Sequence, residues 1–185
     1  MASALSICSS ALLMLGADEI TSFAETSREA KLCANLYPVT RDELVQMYPW
    51  RFAVGQITLA RLATAPLFGY QYAFQLPADL LRIISTEFGT DYRVFENRLY
   101  ANSDTLRLTY LFRPQEAAMP AYFVRALELR LAEILALALQ EDTTKHRLLA
   151  DRAKEQTIRA RAIDAQQQSA VQLDEQNFLL TAVRN

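Results

Sequence analysis

The chain has 185 residues, of which 51% are apolar and 22% charged, and its formal net charge is −2. This composition provides enough apolar surface for one domain with a buried core, and it excludes the global basic excess typical of nucleic-acid-binding proteins. Only 4 glycines and one histidine are present, which argues against a turn-rich β-sandwich, a glycine-rich phosphate loop and a two-histidine metal site.

The apolar segment 4–15 predicts a first helix, with Ser3 as its N-cap and Gly16 as its C-cap. The segment resembles the core of a signal peptide but lacks a positively charged start, so we interpret it as part of the fold. No apolar run reaches the roughly 18 residues that span a membrane. We therefore expect no membrane partner and a cytoplasmic location.

A second helix is predicted to start near Thr26, where Glu29 three residues later would complete a capping box. Pro38 lies inside this helical pattern, so the proline either kinks the helix or divides it in two. Pro49 is expected to stop the helix.

From residue 50 the pattern changes to short, aromatic-rich segments that alternate with period two. Pro77 and the residues after it predict a turn, and Asn97 lies between two strand-like segments, which predicts a hairpin. The extended segments are predicted at 53–60, 70–76, 80–85, 92–96, 98–101 and 106–112.

The helical pattern returns after Pro114. Pro120 is well placed to begin a third helix, whose residues 122–140 are apolar on most faces and therefore buried. Thr143 or Thr144 is expected to cap a charged last helix that runs to about residue 168.

Together these elements predict a mainly α fold with a β insert (α+β). It is an antiparallel helical bundle with a small antiparallel β subdomain between the second and third helices. The predicted domains are a bundle of 1–53 and 114–168, an inserted β subdomain of 54–113, and a C-terminal docking tail of 169–185.

Catalysis, metal binding and a bound cofactor are not expected. His146 lies between two basic residues and is interpreted as a solvated surface histidine. Cys8 and Cys33 are interpreted as reduced core residues. Three carboxylate pairs are attributed to helix ends and solubility; they are Asp18–Glu19, Asp42–Glu43 and Glu141–Asp142.

The last helix is the strongest basic feature, since 145–161 contains six basic and two acidic residues. Such a face can contact phosphates. Ion pairs within the helix, Asp151 with Lys154 and Glu155 with Arg159, are the more common explanation. A nucleic-acid-binding regulator that uses this helix therefore stays open as the alternative function.

Aromatic residues form two further clusters. Pro49, Trp50 and Phe52 mark the junction of bundle and β unit, where we expect a hydrophobic plug. The β unit carries aromatics that could stack on bases, although cross-strand packing is favoured; these are Tyr70, Tyr72, Phe74, Tyr92, Phe95 and Tyr100. A small-ligand or catalytic module near Trp50 ranks last, because no polar cluster converges there.

Several short segments follow one another in a recognisable order along the chain. They are 9–16, 20–22, Ala30, Cys33, Tyr37, 41–43 and 48–53, of which the Pro-Trp-Arg-Phe motif at 49–52 is the most specific. In this order they resemble the adaptor, or head–tail connector, proteins of tailed bacteriophages, including the tail tubular protein A type. The resemblance covers about residues 4–168.

The resemblance implies a non-enzymatic virion protein at the head–tail interface that forms a ring, dodecameric in that family. DNA would pass through the lumen without specific binding, and the β region would face tail or nozzle proteins through the six aromatics named above. The last helix and the tail would dock on the portal protein through Arg152, Lys154, Arg159, Arg161, Phe178, Leu179 and Leu180.

Overall fold

The computed structural model describes residues 2–167 and confirms the α+β fold. Its helices are α1 (Ala4–Leu15), α2 (Arg28–Gln46), α3 (Ala121–Gln140) and α4 (Thr143–Ala165). The strands all lie between α2 and α3; they are β1 (Val54–Thr58), β2 (Tyr72–Gln75), β3 (Leu80–Thr86), β4 (Tyr92–Phe95), β5 (Arg98–Ala101) and β6 (Arg107–Phe112).

The ends of α1 are those that the sequence predicts. The Ser3 hydroxyl accepts the Ser6 backbone N–H at 3.0 Å, and the Ser6 hydroxyl accepts the Ser3 N–H at 2.9 Å. Gly16 ends the helix in the left-handed conformation with φ of 73°, which glycine adopts without a steric penalty.

The caps of α2 and α4 differ from the prediction. Ser27, not Thr26, caps α2, because its side chain accepts the Ala30 N–H three residues on. Asp142, one or two residues before the predicted threonines, caps α4 and accepts the N–H groups of Thr144 and Lys145, each at 2.9 Å. A carboxylate is favoured at that position because the helix N-terminus carries partial positive charge.

The structure also gives the extent of α2 and α4, for comparison with the predicted helices. α2 is continuous through Pro38, so the proline does not divide it. α4 ends at Ala165 rather than near residue 168. None of the described helices is long and apolar enough to cross a bilayer.

The β insert consists of two three-stranded antiparallel sheets rather than one unit. Their strand orders are β1-β6-β3 and β2-β5-β4. The predicted hairpin at Asn97 is confirmed. Glu96 and Asn97 connect β4 to β5 with φ of 48° and 59°, the two-residue turn with positive φ that suits the twist of paired strands.

The central strand β6 of the sheet β1-β6-β3 contributes to a core on each face of the sheet, because its side chains alternate in direction. Leu111 belongs to the core that the four helices form. Leu108 and Tyr110 belong to a second core, which also contains Phe74 and Leu99 of the other sheet. The sheet β1-β6-β3 therefore stands between the helices and the sheet β2-β5-β4.

Candidate interaction surfaces

Trp50 anchors the junction between the helices and the β insert. It is completely buried, and its indole N–H donates to the Leu44 carbonyl at 2.9 Å. Its ring meets Tyr48 and Phe123 edge-on at centroid distances of 5.1 Å each. Phe52 packs on Phe123 at 4.8 Å, whereas Pro49 is exposed after the end of α2. Trp50 thus lies in the packed interior, and the half-buried Phe52 packs beside it.

A buried carboxylate, absent from the sequence predictions, ties the end of α4 to this junction. Asp164 accepts the Arg51 backbone N–H at 3.1 Å and the Tyr122 hydroxyl at 2.8 Å. Burial and the bond to Asp164 raise the pKa of Tyr122. An acid in the last turn of a helix opposes the helix dipole, and this unfavourable placement is the sequence signal that could have indicated a tertiary role.

A second polar cluster joins α2 to the segment between β6 and α3. Asp42 accepts bonds from Arg113 at 2.7 Å and from Arg41 at 2.9 Å. Glu116 accepts the Arg41 guanidinium at 3.1 Å and the Tyr37 hydroxyl at 3.0 Å. Helix ends and solubility therefore do not account for Asp42, because its partly buried carboxylate bridges Arg41 of the same helix and the exposed Arg113.

This cluster makes stability depend on acid pH. Burial raises the pKa of Asp42 and of Glu116, but their hydrogen bonds and the nearby arginines outweigh it, so each pKa lies below its ordinary value. A lowered folded-state pKa stabilises the protein above the unfolded-state pKa of about 4, and that stability is lost as the pH falls further.

We expect the urea midpoint to decrease below about pH 4 and the decrease to be smaller in Asp42→Asn. In the control Asp151→Asn, which changes an exposed acid, the urea midpoint should decrease with falling pH as much as in the wild type. An equal decrease in all three proteins would contradict the assignment of this acid sensitivity to Asp42.

The prediction for His146 was wrong. The ring is half-buried, with Nδ1 2.9 Å from the Glu133 carbonyl of α3. Because α4 packs on α3, a side chain between two basic neighbours still faces the neighbouring helix. Among residues 2–167, no group of three or more histidine, cysteine or acidic side chains could hold a metal ion.

Cys8 and Cys33 are unbridged and buried, as predicted. The hydrogen bond to Cys33 and burial raise the pKa of the Cys8 thiol. Cys8 therefore stays protonated in the core, where it packs as a small apolar residue.

The structure confirms only part of the basic face that the sequence predicts on α4. Arg152, Lys154 and Arg159 are exposed, and Arg159 pairs with Glu155 at 2.5 Å. Within the described part of α4, Asp151 and Lys154 form no ion pair. Arg161 is half-buried and its guanidinium lies 5.5 Å from the centre of the Tyr48 ring, so part of its side chain packs on the fold. Phe178, Leu179 and Leu180 lie outside the described residues.

The six aromatics of the β insert do not all lie at its surface. Phe74 is completely buried in the second core, which corrects its assignment to a partner-facing surface. Tyr72, Tyr92 and Tyr100 are partly buried, whereas about half of Phe95 is exposed, and its ring lies 5.8 Å from Tyr100. Packing therefore explains most of this set, since Phe74, Tyr72 and Tyr92 pack in or against the second core and Phe95 pairs with Tyr100 of the neighbouring strand.

The large apolar side chains with the highest exposed fractions lie in the loop before β2. Leu67 is 98% exposed and Phe68 86% exposed. With Tyr70, Phe95 and Tyr100 they line a concavity of about 380 Å³; we call these five residues the loop patch. The sequence predictions missed Leu67 and Phe68, although an apolar pair between Pro66 and Gly69, inside a predicted loop, was a usable signal.

The arrangement therefore offers two exposed surfaces of unlike chemistry: the charged face of α4 and the apolar loop patch.

No known protein family matches the chain, and no curated protein has significant sequence similarity to it.

Proposed function

We propose that the chain is a non-enzymatic structural adaptor of a bacteriophage virion. It would form a ring, dodecameric by its resemblance to the connector proteins, between the portal and the tail, and so extend the channel through which DNA leaves the head. The observation that carries the proposal is the pair of unlike surfaces, charged on α4 and apolar at the loop patch, on layers that the sheet β1-β6-β3 separates.

A stacked connector needs surfaces of this kind. A ring closes through heterologous interfaces, in which one patch of a subunit meets a different patch of the next, and a ring between two other rings also needs a contact on each side. In the proposal, α4 and the segment 178–180 meet the portal, and the loop patch meets tail or nozzle proteins. An exposed Leu and Phe at adjacent positions of a loop favour a protein partner on that side.

Crosslinking tests which surface meets the portal. Lys154 is exposed on α4, and Lys31 on α2, which is also exposed, is its matched control. In particles treated with a lysine-reactive crosslinker, we expect Lys154 to join portal peptides and Lys31 not to do so. Portal crosslinks at Lys31 alone, or equally at both lysines, would contradict the assignment of α4 to the portal.

A nucleic-acid-binding regulator is the second candidate, because α4 exposes Arg147, Arg152, Lys154 and Arg159. If three of these neutralise phosphates, affinity for duplex DNA should fall roughly 40-fold between 50 and 200 mM salt. Reversing Arg152 and Arg159 to Glu should then abolish binding. The adaptor proposal predicts no measurable binding of a short duplex at 50 mM salt by fluorescence anisotropy; tight, salt-sensitive binding would favour the regulator.

A further inference from the structure

A groove of about 440 Å³ lies where α4 meets α1 and α3. Its apolar lining comes from Met14, Leu129 and Leu149, and three arginines and one acid surround that lining with Gln156. The charged residues are Arg125, Arg152, Arg159 and Glu155. We call it the basic groove. A lining of this kind suits a segment that is itself both apolar and acidic.

The basic groove has unbalanced positive charge. Arg125 pairs with Glu128 at 3.0 Å and Arg159 pairs with Glu155 at 2.5 Å. Arg152 forms no ion pair with any residue in the range 2–167. An incoming carboxylate would therefore find at least one arginine without a competing internal acid.

The face of α4 that contributes Arg152, Gln156 and Arg159 to the groove continues beyond the groove lining at both ends. Leu148, Arg152, Gln156, Arg159 and Ile163 follow one another at spacings of three and four residues, which places them on one face. Leu148 is 52% exposed at one end of this row, and Ile163 is partly exposed at the other. From the C-terminal end backwards, the row is apolar, basic and then apolar.

The end of the chain has the complementary order. After residue 167 come Val171 and Leu173, then Asp174 and Glu175, which are the only acids in 168–185, and then the apolar run 178–180. We propose that residues 171–180 of the same chain occupy the basic groove, running antiparallel to α4. The acids then lie opposite Arg159 and Arg152, and the apolar run lies against Leu149 and Met14.

The chain is long enough for this path. At 1.5 Å per helical residue, Arg159 lies about 12 Å and Arg152 about 22 Å back along α4 from Gln167. An extended chain covers up to about 3.4 Å per residue, which puts Asp174 within about 24 Å of Gln167. The same arithmetic gives about 37 Å for Phe178. A few residues therefore remain for the reversal of direction.

The segment is favoured over an external peptide because the chain itself supplies it. A short connection gives a tethered segment an effective concentration in the millimolar range, so weak contacts suffice to hold it. The purpose of the contact rests on the proposed function. If 178–180 binds the portal, the basic groove covers that apolar run in the free subunit and releases it when the portal is present.

Paramagnetic relaxation in the full chain tests the contact. A spin label on Asn177→Cys is selective, because Cys8 and Cys33 are completely buried. We expect the methyl signals of Met14 and Leu148 to be broadened and those of Val39, 66% exposed on α2, to be unaffected. Reversing Arg152 and Arg159 to Glu should abolish the broadening, and adding Asp174→Arg with Glu175→Arg should restore it.

Each other outcome overturns the inference. Absent broadening, or equal broadening at Val39, would show that the segment has no preferred place on the fold. Broadening that disappears on dilution would assign the groove to a second copy of the chain. No portal is present in this experiment, so its failure leaves the ring proposal intact, and a failure of ring formation leaves this contact intact.

Discussion

Replacing Trp50 with alanine is expected to lower the free energy of unfolding by about 3–5 kcal/mol, the usual cost of deleting a large aromatic side chain from a core. The side chain is completely buried, and its ring touches aromatic residues of both the α2–β1 connection and α3. The change also leaves the Leu44 carbonyl, in the last turn of α2, without its indole donor.

Urea unfolding followed by circular dichroism measures this loss, since the variant contains no tryptophan for fluorescence. Trp50→Phe keeps most of the packing and loses only the hydrogen bond, so it should cost less than Trp50→Ala. Leu67→Ala is the surface control, because a side chain that is 98% exposed should change stability by less than about 0.5 kcal/mol. A Trp50→Ala protein as stable as the Leu67→Ala protein would refute the role of Trp50 as the junction anchor.

Asp164→Ala is expected to cost about 2–4 kcal/mol, since a buried donor left without its partner loses about 1–3 kcal/mol. The variant would remove the acceptor shared by two partly buried donors, the Arg51 N–H and the Tyr122 hydroxyl. The intrinsic preference of alanine for helices opposes this loss only slightly.

Two variants separate the buried contact from the helix itself. Asp164→Asn keeps one acceptor oxygen and should be less destabilised than Asp164→Ala. Asp151→Ala changes an exposed aspartate of the same helix and should be neutral or slightly stabilising. If Asp164→Ala and Asp151→Ala unfold at the same urea concentration, Asp164 does not hold the end of α4.

Local sequence signals predicted where each helix lies, but they identified the capping residues correctly only for α1. The limits of α1 follow from Ser3 and Gly16, whose effects depend only on neighbouring residues. The cap of α4 was misplaced because Thr143, Thr144 and Asp142 are all good capping residues in sequence. Only the backbone path shows that the Asp142 carboxylate meets two free N–H groups.

The strands were predictable individually, but their pairing was not. The hairpin at Asn97 joins neighbouring segments, and a two-residue turn fixes it. β1 instead pairs with β6, so that Val54 lies opposite Leu111, and a contact across that sequence distance leaves no trace in local periodicity. The division into two sheets therefore went unpredicted, and so did the complete burial of Phe74 between them.

The same limit applies to the candidate surfaces. Charge along α4 predicted a basic face, but the half-burial of Arg161 against Tyr48 depends on the junction that follows α2. The cluster of Asp42, Arg113 and Glu116 joins segments far apart in sequence, so no spacing rule could indicate it. Leu67 and Phe68 were locally recognisable, because apolar residues in a loop have nothing nearby to cover them.

The central claim is that the chain forms a closed ring on a portal, and particle mass measured on the two components together tests it most directly. Purified chain alone is expected to be a monomer or a loose oligomer by light scattering. With portal rings added, mass photometry should show a complex whose added mass corresponds to a complete ring, twelve subunits by the resemblance. A compact monomer that never binds the portal at any concentration would contradict the account.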